Sequence, residues 1–230
     1  MIDAILNLLF PLACVICGSP VLERRWGAAC PSCWAKVTPV QPPFCIQCGV
    51  PAPAIETRCG ACRRGEHVFD FCRSALHFND TLREIIHHFK YSERVSLARP
   101  LGEWMKACLE RESFQGDVVL PVPLHRSRER HRGFNQAELL SRSLGRKIER
   151  RLIRRRKNTP TQTGLSKAQR AANLAGAFEV SGRVPECVIV TDDVYTTGST
   201  VNEISRTLKR AGALRVEVLT LARVQRPGLE

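Results

Sequence analysis

From residue 71 onward, short apolar runs alternate with stretches of helical period. Residues 73–78 read as a strand. Asn79 or Asp80 then caps a helix through Tyr91, with Leu82, Ile85, Ile86 and Phe89 on one face. Residues 97–109 form a second helix, and 118–122 are a continuous apolar run of the kind buried in a parallel sheet. After a loop, residues 136–148 read as a helix and 177–180 as a short strand. Residues 187–191 are another apolar strand, 200–210 a helix closed by Gly212, and 216–221 a final strand. This alternation predicts an α/β domain with a mainly parallel sheet and flanking helices.

The start of the chain has a different pattern. Ile2, Ile5, Leu6, Leu8 and Leu9 suit a short amphipathic helix packed on the rest of the protein. The stretch is broken by Asp3, Asn7 and Pro11, is too short to span a bilayer and lacks a basic leader region. The expectation is a cytoplasmic protein with no membrane span.

Eight of the eleven cysteines then form four C-x-x-C pairs: Cys14/Cys17, Cys30/Cys33, Cys45/Cys48 and Cys59/Cys62. Each pair presents two thiolates at the bite of a tetrahedral metal, and two pairs complete a four-sulfur zinc site. The intervening gaps of 12, 11 and 10 residues do not by themselves decide which pairs share a metal. A repeat does: CVICGSP and CIQCGVP share the frame C-x-x-C-G-x-P, 31 residues apart. Cys14, Cys17, Cys30 and Cys33 are therefore assigned to one structural zinc, and Cys45, Cys48, Cys59 and Cys62 to the other. Such sites replace a hydrophobic core too small to fold unaided. A double zinc ribbon over residues 1–70 and an α/β domain over 71–230 follow as the domain plan. Cys72, Cys108 and Cys187 are isolated and read as small buried hydrophobes. His87 and His88 read as polar helix residues rather than metal ligands.

Charge adds an address. The net charge is +13, and residues 117–185 hold sixteen basic and five acidic side chains while the other segments are near balance. A polyanionic partner is implied for that stretch. Phe134 is the only aromatic residue in 117–170, so contacts to single-stranded DNA there would be mainly to phosphates.

The most specific segment is VIVTDDVYTTGST, residues 188–200. An apolar strand ends at Asp192 and Asp193, and Thr196, Thr197, Gly198, Ser199 and Thr200 lead into a helix. Hydroxyls and backbone N–H groups at a helix N-terminus surround a phosphate, and Gly198 permits close approach. The carboxylates accept hydrogen bonds from vicinal ribose hydroxyls. A phosphate at one end and a diol at the other describe a ribose 5-phosphate.

This segment resembles, at every position, the phosphoribosyl pyrophosphate (PRPP) loop of type I phosphoribosyltransferases. With PVPLHRSRERHRGFNQA at 121–137, RRRKNTPTQTGLSKAQRAANLAGAF at 154–178 and the cysteine-rich start, the whole chain resembles the ComF family, including its GntX members. The resemblance implies a double zinc ribbon before a phosphoribosyltransferase-type sheet, and association with DNA uptake in natural competence. It implies Asp192 and Asp193 as the catalytic pair of any transferase reaction. His125, Arg126, Arg128, Arg132, Gly133 and Asn135 fall in the pyrophosphate loop. Lys157, Thr159, Gln162, Arg170 and Asn173 fall in the flexible loop. Magnesium would accompany PRPP. The expected partners are PRPP or another ribose 5-phosphate, single-stranded DNA and DNA-uptake proteins. Three functions remain open: a PRPP pocket serving DNA handling, a phosphoribosyltransferase that transfers to an unidentified nitrogenous acceptor and releases pyrophosphate, and a protein-interaction adaptor acting through the zinc ribbons. The arginines of 126–132 read as an irregular loop, and the denser run 150–157 as the part most open to DNA.

Overall fold

The computed structural model describes residues 12–52, 57–92, 94–157 and 167–225. The proposed amphipathic start lies outside these residues. In chain order, the described helices are α1 (Pro31–Trp34), α2 (Gly60–Arg63), α3 (Asp80–Tyr91), α4 (Ala98–Arg111), α5 (Arg126–Arg132), α6 (Gln136–Ser141), α7 (Lys167–Leu174) and α8 (Ser199–Arg210). The strands are β1 (Phe71–His77), β2 (Val118–Pro121), β3 (Lys147–Ile148), β4 (Ile153–Arg155), β5 (Phe178–Val180), β6 (Cys187–Tyr195) and β7 (Arg215–Arg223).

Five strands form one sheet in the order β1-β7-β6-β2-β3, and every neighbouring pair is parallel. Successive strand side chains point to opposite faces, which sorts β6 into two cores. Ile189 joins Leu219 and Leu221 under α3, α4 and α6, against Ile85, Phe89, Met105 and Leu140. Val188 and Val190 join Val216 and Val218 on the other face, under Val201, Ile204 and Leu208 of α8. The antiparallel pair β4/β5 packs on that second face through Ile153 and Phe178. Each apolar side chain so buried contributes about 1.5–3 kcal/mol.

Helix α3 buries the face expected of it, and Asn79 is its cap: the side-chain oxygen accepts from the Leu82 N–H at 2.9 Å. Three expectations are corrected. Residues 136–148 are not one helix; α6 ends at Ser141, a 3-10 turn reaches Leu144, and Gly145 turns at φ 65°. Ser141 Oγ donates to its own helix at Ala137 O and also pairs with Thr191 Oγ1 at 2.8 Å, and the left-handed glycine releases Lys147–Ile148 to the sheet edge. The arginines of 126–132 are not irregular but helical, because His125 caps one end of α5 and Gly133, at φ 78°, closes the other. Cys187 is only half-buried, since it is the first residue of its strand, whereas Cys72 and Cys108 are buried.

The cysteine-rich segment folds against the edge of β1. His77 N–H donates to Thr38 O, Val40 N–H to Ala75 O, and Cys72 N–H to Gln47 O.

Candidate metal centres and phosphate site

The two copies of C-x-x-C-G-x-P build the same knuckle. Cys14 N–H donates to Ser19 O at 2.8 Å and Gly18 N–H to Cys14 O at 2.9 Å; Cys45 N–H donates to Val50 O at 2.7 Å and Gly49 N–H to Cys45 O at 2.9 Å. The glycines take φ 74° and 69°, the left-handed turn that their lack of a Cβ allows. Cys30 and Cys59 precede the one-turn helices α1 and α2, and their N–H groups donate to the sulfurs of Cys14 and Cys45, each at 3.3 Å.

Cys14, Cys17, Cys30 and Cys33 converge, as do Cys45, Cys48, Cys59 and Cys62, with all four sulfurs of each group within 4.8 Å of one another. Neighbouring sulfurs stand at 3.6 Å for Cys17/Cys30, Cys45/Cys62 and Cys48/Cys59. A zinc tetrahedron with Zn–S of about 2.3 Å has edges of about 3.8 Å. A disulfide needs about 2.0 Å, and the described cysteines are all free thiols. The donor sets therefore fit two four-sulfur zinc sites, paired as the repeat predicted.

The second site lies deeper. Two arginines inside the β1 and β7 strand pattern, Arg73 and Arg223, are both buried and both serve its knuckle. Arg73 Nη1 donates to Ile46 O at 3.2 Å and Cys72 O at 2.8 Å, and its Nε pairs with Glu112 at 2.9 Å. Arg223 donates to Cys48 O. A zinc held by four thiolates is a net dianion, and these guanidinium groups lie beside it.

The phosphate segment sits where the topology parts. β2 continues to β3 on one side, and β6 continues through α8 to β7 on the other, so a crevice opens at the carboxyl ends of β2 and β6. Asp192 and Asp193 are on the last part of β6, and Gly198, at φ 73°, is the N-cap of α8. Thr197 Oγ1 and Ser199 Oγ are 2.8 Å apart, and Ser199 N–H also donates to Thr197 Oγ1 at 3.3 Å. These groups ring the start of a 12-residue helix whose dipole favours an anion.

The two carboxylates differ in setting. Burial, and next the neighbouring charge of Asp193, push the Asp192 carboxyl up to about 7, against the pull of the Asp193 N–H, Lys90 and Arg155. Asp193 forms an ion pair with Lys90 of α3. Lys90 is absent from the sequence-derived set, and only the packing of α3 on the sheet brings it to the carboxylate.

The basic candidates divide. His125 Nδ1 pairs with Ser127 Oγ at 2.7 Å at the start of α5. Arg126, Glu129, Arg130 and Gly133 line a shallow surface hollow. Arg132 Nη1 donates to Gln136 at 2.6 Å and its guanidinium lies over the Tyr91 ring. Asn135 uses both ends of its amide, capping α6 and donating to Val122 O at 3.0 Å. Lys157 donates to Ala175 O at 2.7 Å, and Asn173 is half-buried near the end of α7. Thr159, Gln162 and the side chain of Arg170 lie outside the described residues.

Strand β4 splits the run 150–157. Arg154 faces out and Arg155 turns inward, half-buried over the Phe178 ring. Burial, then the charge of Arg128, lower the Arg155 pKa, and Asp192 opposes them, so the guanidinium belongs to the same electrostatic neighbourhood as the carboxylates. The antiparallel pairing of Ile153–Arg155 with Phe178–Val180 is what singles out one inward arginine.

Comparison with known proteins agrees with the metal centres. Residues 5–63 match the double zinc ribbon domain family. Competence protein F of Haemophilus influenzae is 31% identical over 227 residues, covering 93% of this chain and 98% of that protein. DNA utilization protein YhgH of Escherichia coli K12 is 33% identical over 226 residues, covering 93% and 97%. A solved hypoxanthine phosphoribosyltransferase from Staphylococcus aureus aligns with 58% of this chain and 65% of its own at 14% identity and a TM-score of 0.35, too slight a likeness to carry an inference. With relatives of this identity spanning nearly all of both chains, the protein belongs to the ComF family of competence and DNA-utilization proteins.

Proposed function

We propose that this is a cytoplasmic DNA-handling protein of the natural-competence type. In this reading residues 1–70 form the zinc module, and 71–230 carry a PRPP or ribose 5-phosphate pocket of the phosphoribosyltransferase type. The observation that carries the pocket is the single turn from Asp192 to Ser199, in which two carboxylates at a strand end are followed by hydroxyls and N–H groups at a helix start. The ribose diol sits on Asp192 and Asp193, and the 5′-phosphate in the 196–200 loop. Arg155, whose charge is felt at Asp192, and Arg128, whose charge is felt at Arg155, receive the pyrophosphate. Arg150, Arg151 and Arg154 are exposed; Arg151 and Arg154 serve DNA phosphates, and Arg150 does so in exchange for its ion pair with Glu138. No described helix is long and apolar enough to cross a membrane.

Magnesium fits this donor set with Asp192 as the chain's hard oxygen ligand, Asp193 being paired with Lys90. Bound there with PRPP, the ion would neutralise pyrophosphate charge.

The test is calorimetric titration of the zinc-loaded chain with PRPP and magnesium. Asp192→Asn with Asp193→Asn abolishes PRPP binding and leaves salt-sensitive binding of single-stranded DNA intact. An equal loss of DNA binding would replace two sites by one.

A second reading, phosphoribosyl transfer to a nitrogen nucleophile, is favoured by the positive charge of Arg155 felt at Asp192, since leaving-group charge grows in the transition state. It requires magnesium-dependent pyrophosphate release with a purine, a pyrimidine or orotate. Tight PRPP binding without turnover on any of them leaves the pocket as a binding site alone.

A further inference from the structure

Two ties run from the second cysteine knuckle to the 196–200 loop. The first goes through the chain that leaves the ribbon. Gln47, between ligands Cys45 and Cys48, accepts from Cys72 N–H at 2.7 Å and donates its side-chain amide to Phe69 O at 2.9 Å. Asn202, in the first turn of α8, grips the same segment from the other side. Its Oδ1 accepts from Val68 N–H at 2.6 Å, and its Nδ2 donates to Glu66 O at 3.0 Å. A cavity of about 270 Å³ lies along this seam, lined by Glu66, His67, Thr197, Gly198, Ser199 and Asn202 among others.

The second tie is through side chains. Arg223 donates to the carbonyl of ligand Cys48, and its guanidinium carbon lies 4.0 Å from the centre of the Tyr195 ring. Phe69 meets the same ring edge-on. Tyr195 in turn supports the loop: a Cβ on Gly198 would fall 2.2 Å from the tyrosine Oη. The loop therefore rests directly on a ring held by an arginine that is bonded to the metal knuckle. The first ribbon packs elsewhere, on the face formed by α3 and α4.

We propose that the second zinc ribbon positions the phosphate-binding loop, with Arg223 and Asn202 as the positioning residues. This rests on the reading of 196–200 as a phosphate loop. N–H donors bind an anion well only when they are held in place beforehand. By reciprocity of linked equilibria, an anion in the loop also holds the second metal. Ribose 5-phosphate thus slows loss of the second zinc and not of the first.

The experiment follows zinc release from the full chain with a chromogenic chelator, with and without ribose 5-phosphate, alongside amide exchange over 196–202. In Cys17→Ser the remaining zinc is the second, and ribose 5-phosphate slows its release at least fivefold. In Cys59→Ser the remaining zinc is the first, and its release is insensitive to the ligand. Asn202→Ala and Arg223→Met keep all eight sulfurs; both speed exchange at 196–202 at least tenfold and weaken ribose 5-phosphate binding by a similar factor. Arg223→Lys restores part of each. Protection of both zincs or neither in a protein that binds ribose 5-phosphate, or unchanged loop exchange in Asn202→Ala and Arg223→Met, overturns the coupling. If the unaltered chain does not bind ribose 5-phosphate, the phosphate reading fails, and exchange still decides whether ribbon and loop are coupled. Should a cysteine variant fail to fold, the Asn202 and Arg223 variants decide alone.

Discussion

Gly18 and Gly49 occupy the same place in two copies of one seven-residue frame, and each turns at φ near 70°. A methyl group on Gly18 would meet nothing within 4 Å, whereas on Gly49 it would lie 2.7 Å from the carbonyl oxygen of Cys72. The second ligand of each frame follows suit: Cys17 is exposed, while its counterpart Cys48 is buried. Local sequence made two equal knuckles. Tertiary packing left one knuckle with its second cysteine at the surface and sealed both cysteines of the other into the core beneath α8, where its charge needs buried partners. Metal-binding capacity is thus a local property, and the mechanical consequence of the metal is not.

The largest effect should come from breaking the buried site itself. Cys45→Ser removes the second metal and leaves Arg73 and Arg223 beside a site without its anion; cooperative thermal melting should be lost. Cys14→Ser should lower Tm while melting stays cooperative, and equal damage from the two would erase the distinction. Next in size is Arg73→Met. Urea unfolding should show a loss of about 1–3 kcal/mol, because the Ile46 and Cys72 carbonyls lose a buried donor and Glu112 keeps Arg111 as a partner.

The glycines give a finer measure. Gly18→Ala should cost about 1–2 kcal/mol from left-handed strain alone. Gly49→Ala should cost clearly more, since backbone must also shift; equal costs would contradict the burial of the second knuckle.

The pH-dependent stability effect belongs to the crevice. Asp192 has a folded pKa of about 7 against an ordinary 3.8, so the folded state favours its protonated form. Its contribution to stability is complete at low pH and is lost as pH rises through 7. Asp192→Asn should therefore raise Tm at pH 8 and change it less at pH 5, a trend read from melting curves across that range. The same titration makes PRPP binding by the unsubstituted chain weaken below pH 7, because the diol needs the carboxylate.

Much of this was legible in the residues. Leu82, Ile85, Ile86 and Phe89 marked the buried face of α3 because helical period is a local property. The repeated C-x-x-C-G-x-P paired the cysteines because a knuckle is closed by bonds within seven residues. The strand, the carboxylates and the loop of 188–200 follow one another in a single turn, so their order was readable too. Residues 136–148 were misread because Ser141 and Gly145 end a helix that apolar spacing alone would continue. Arginines 126–132 were misread because only the caps at His125 and Gly133 make that stretch helical.

What the sequence by itself determined is the set of local units: two equal zinc knuckles, a sheet of alternating strands and helices, and one turn in which two carboxylates at a strand end precede hydroxyls at a helix start. What the tertiary structure alone decided is which units touch. It set Lys90 on Asp193 and Arg155 within the field of Asp192, and among the described residues it put the two most buried arginines at one knuckle and not the other. Lys90 and Asp193 are far apart in sequence, as are Cys48 and Arg223. Nothing in their local patterns encodes the pairing, which arises only when the sheet order brings distant strands and helices side by side.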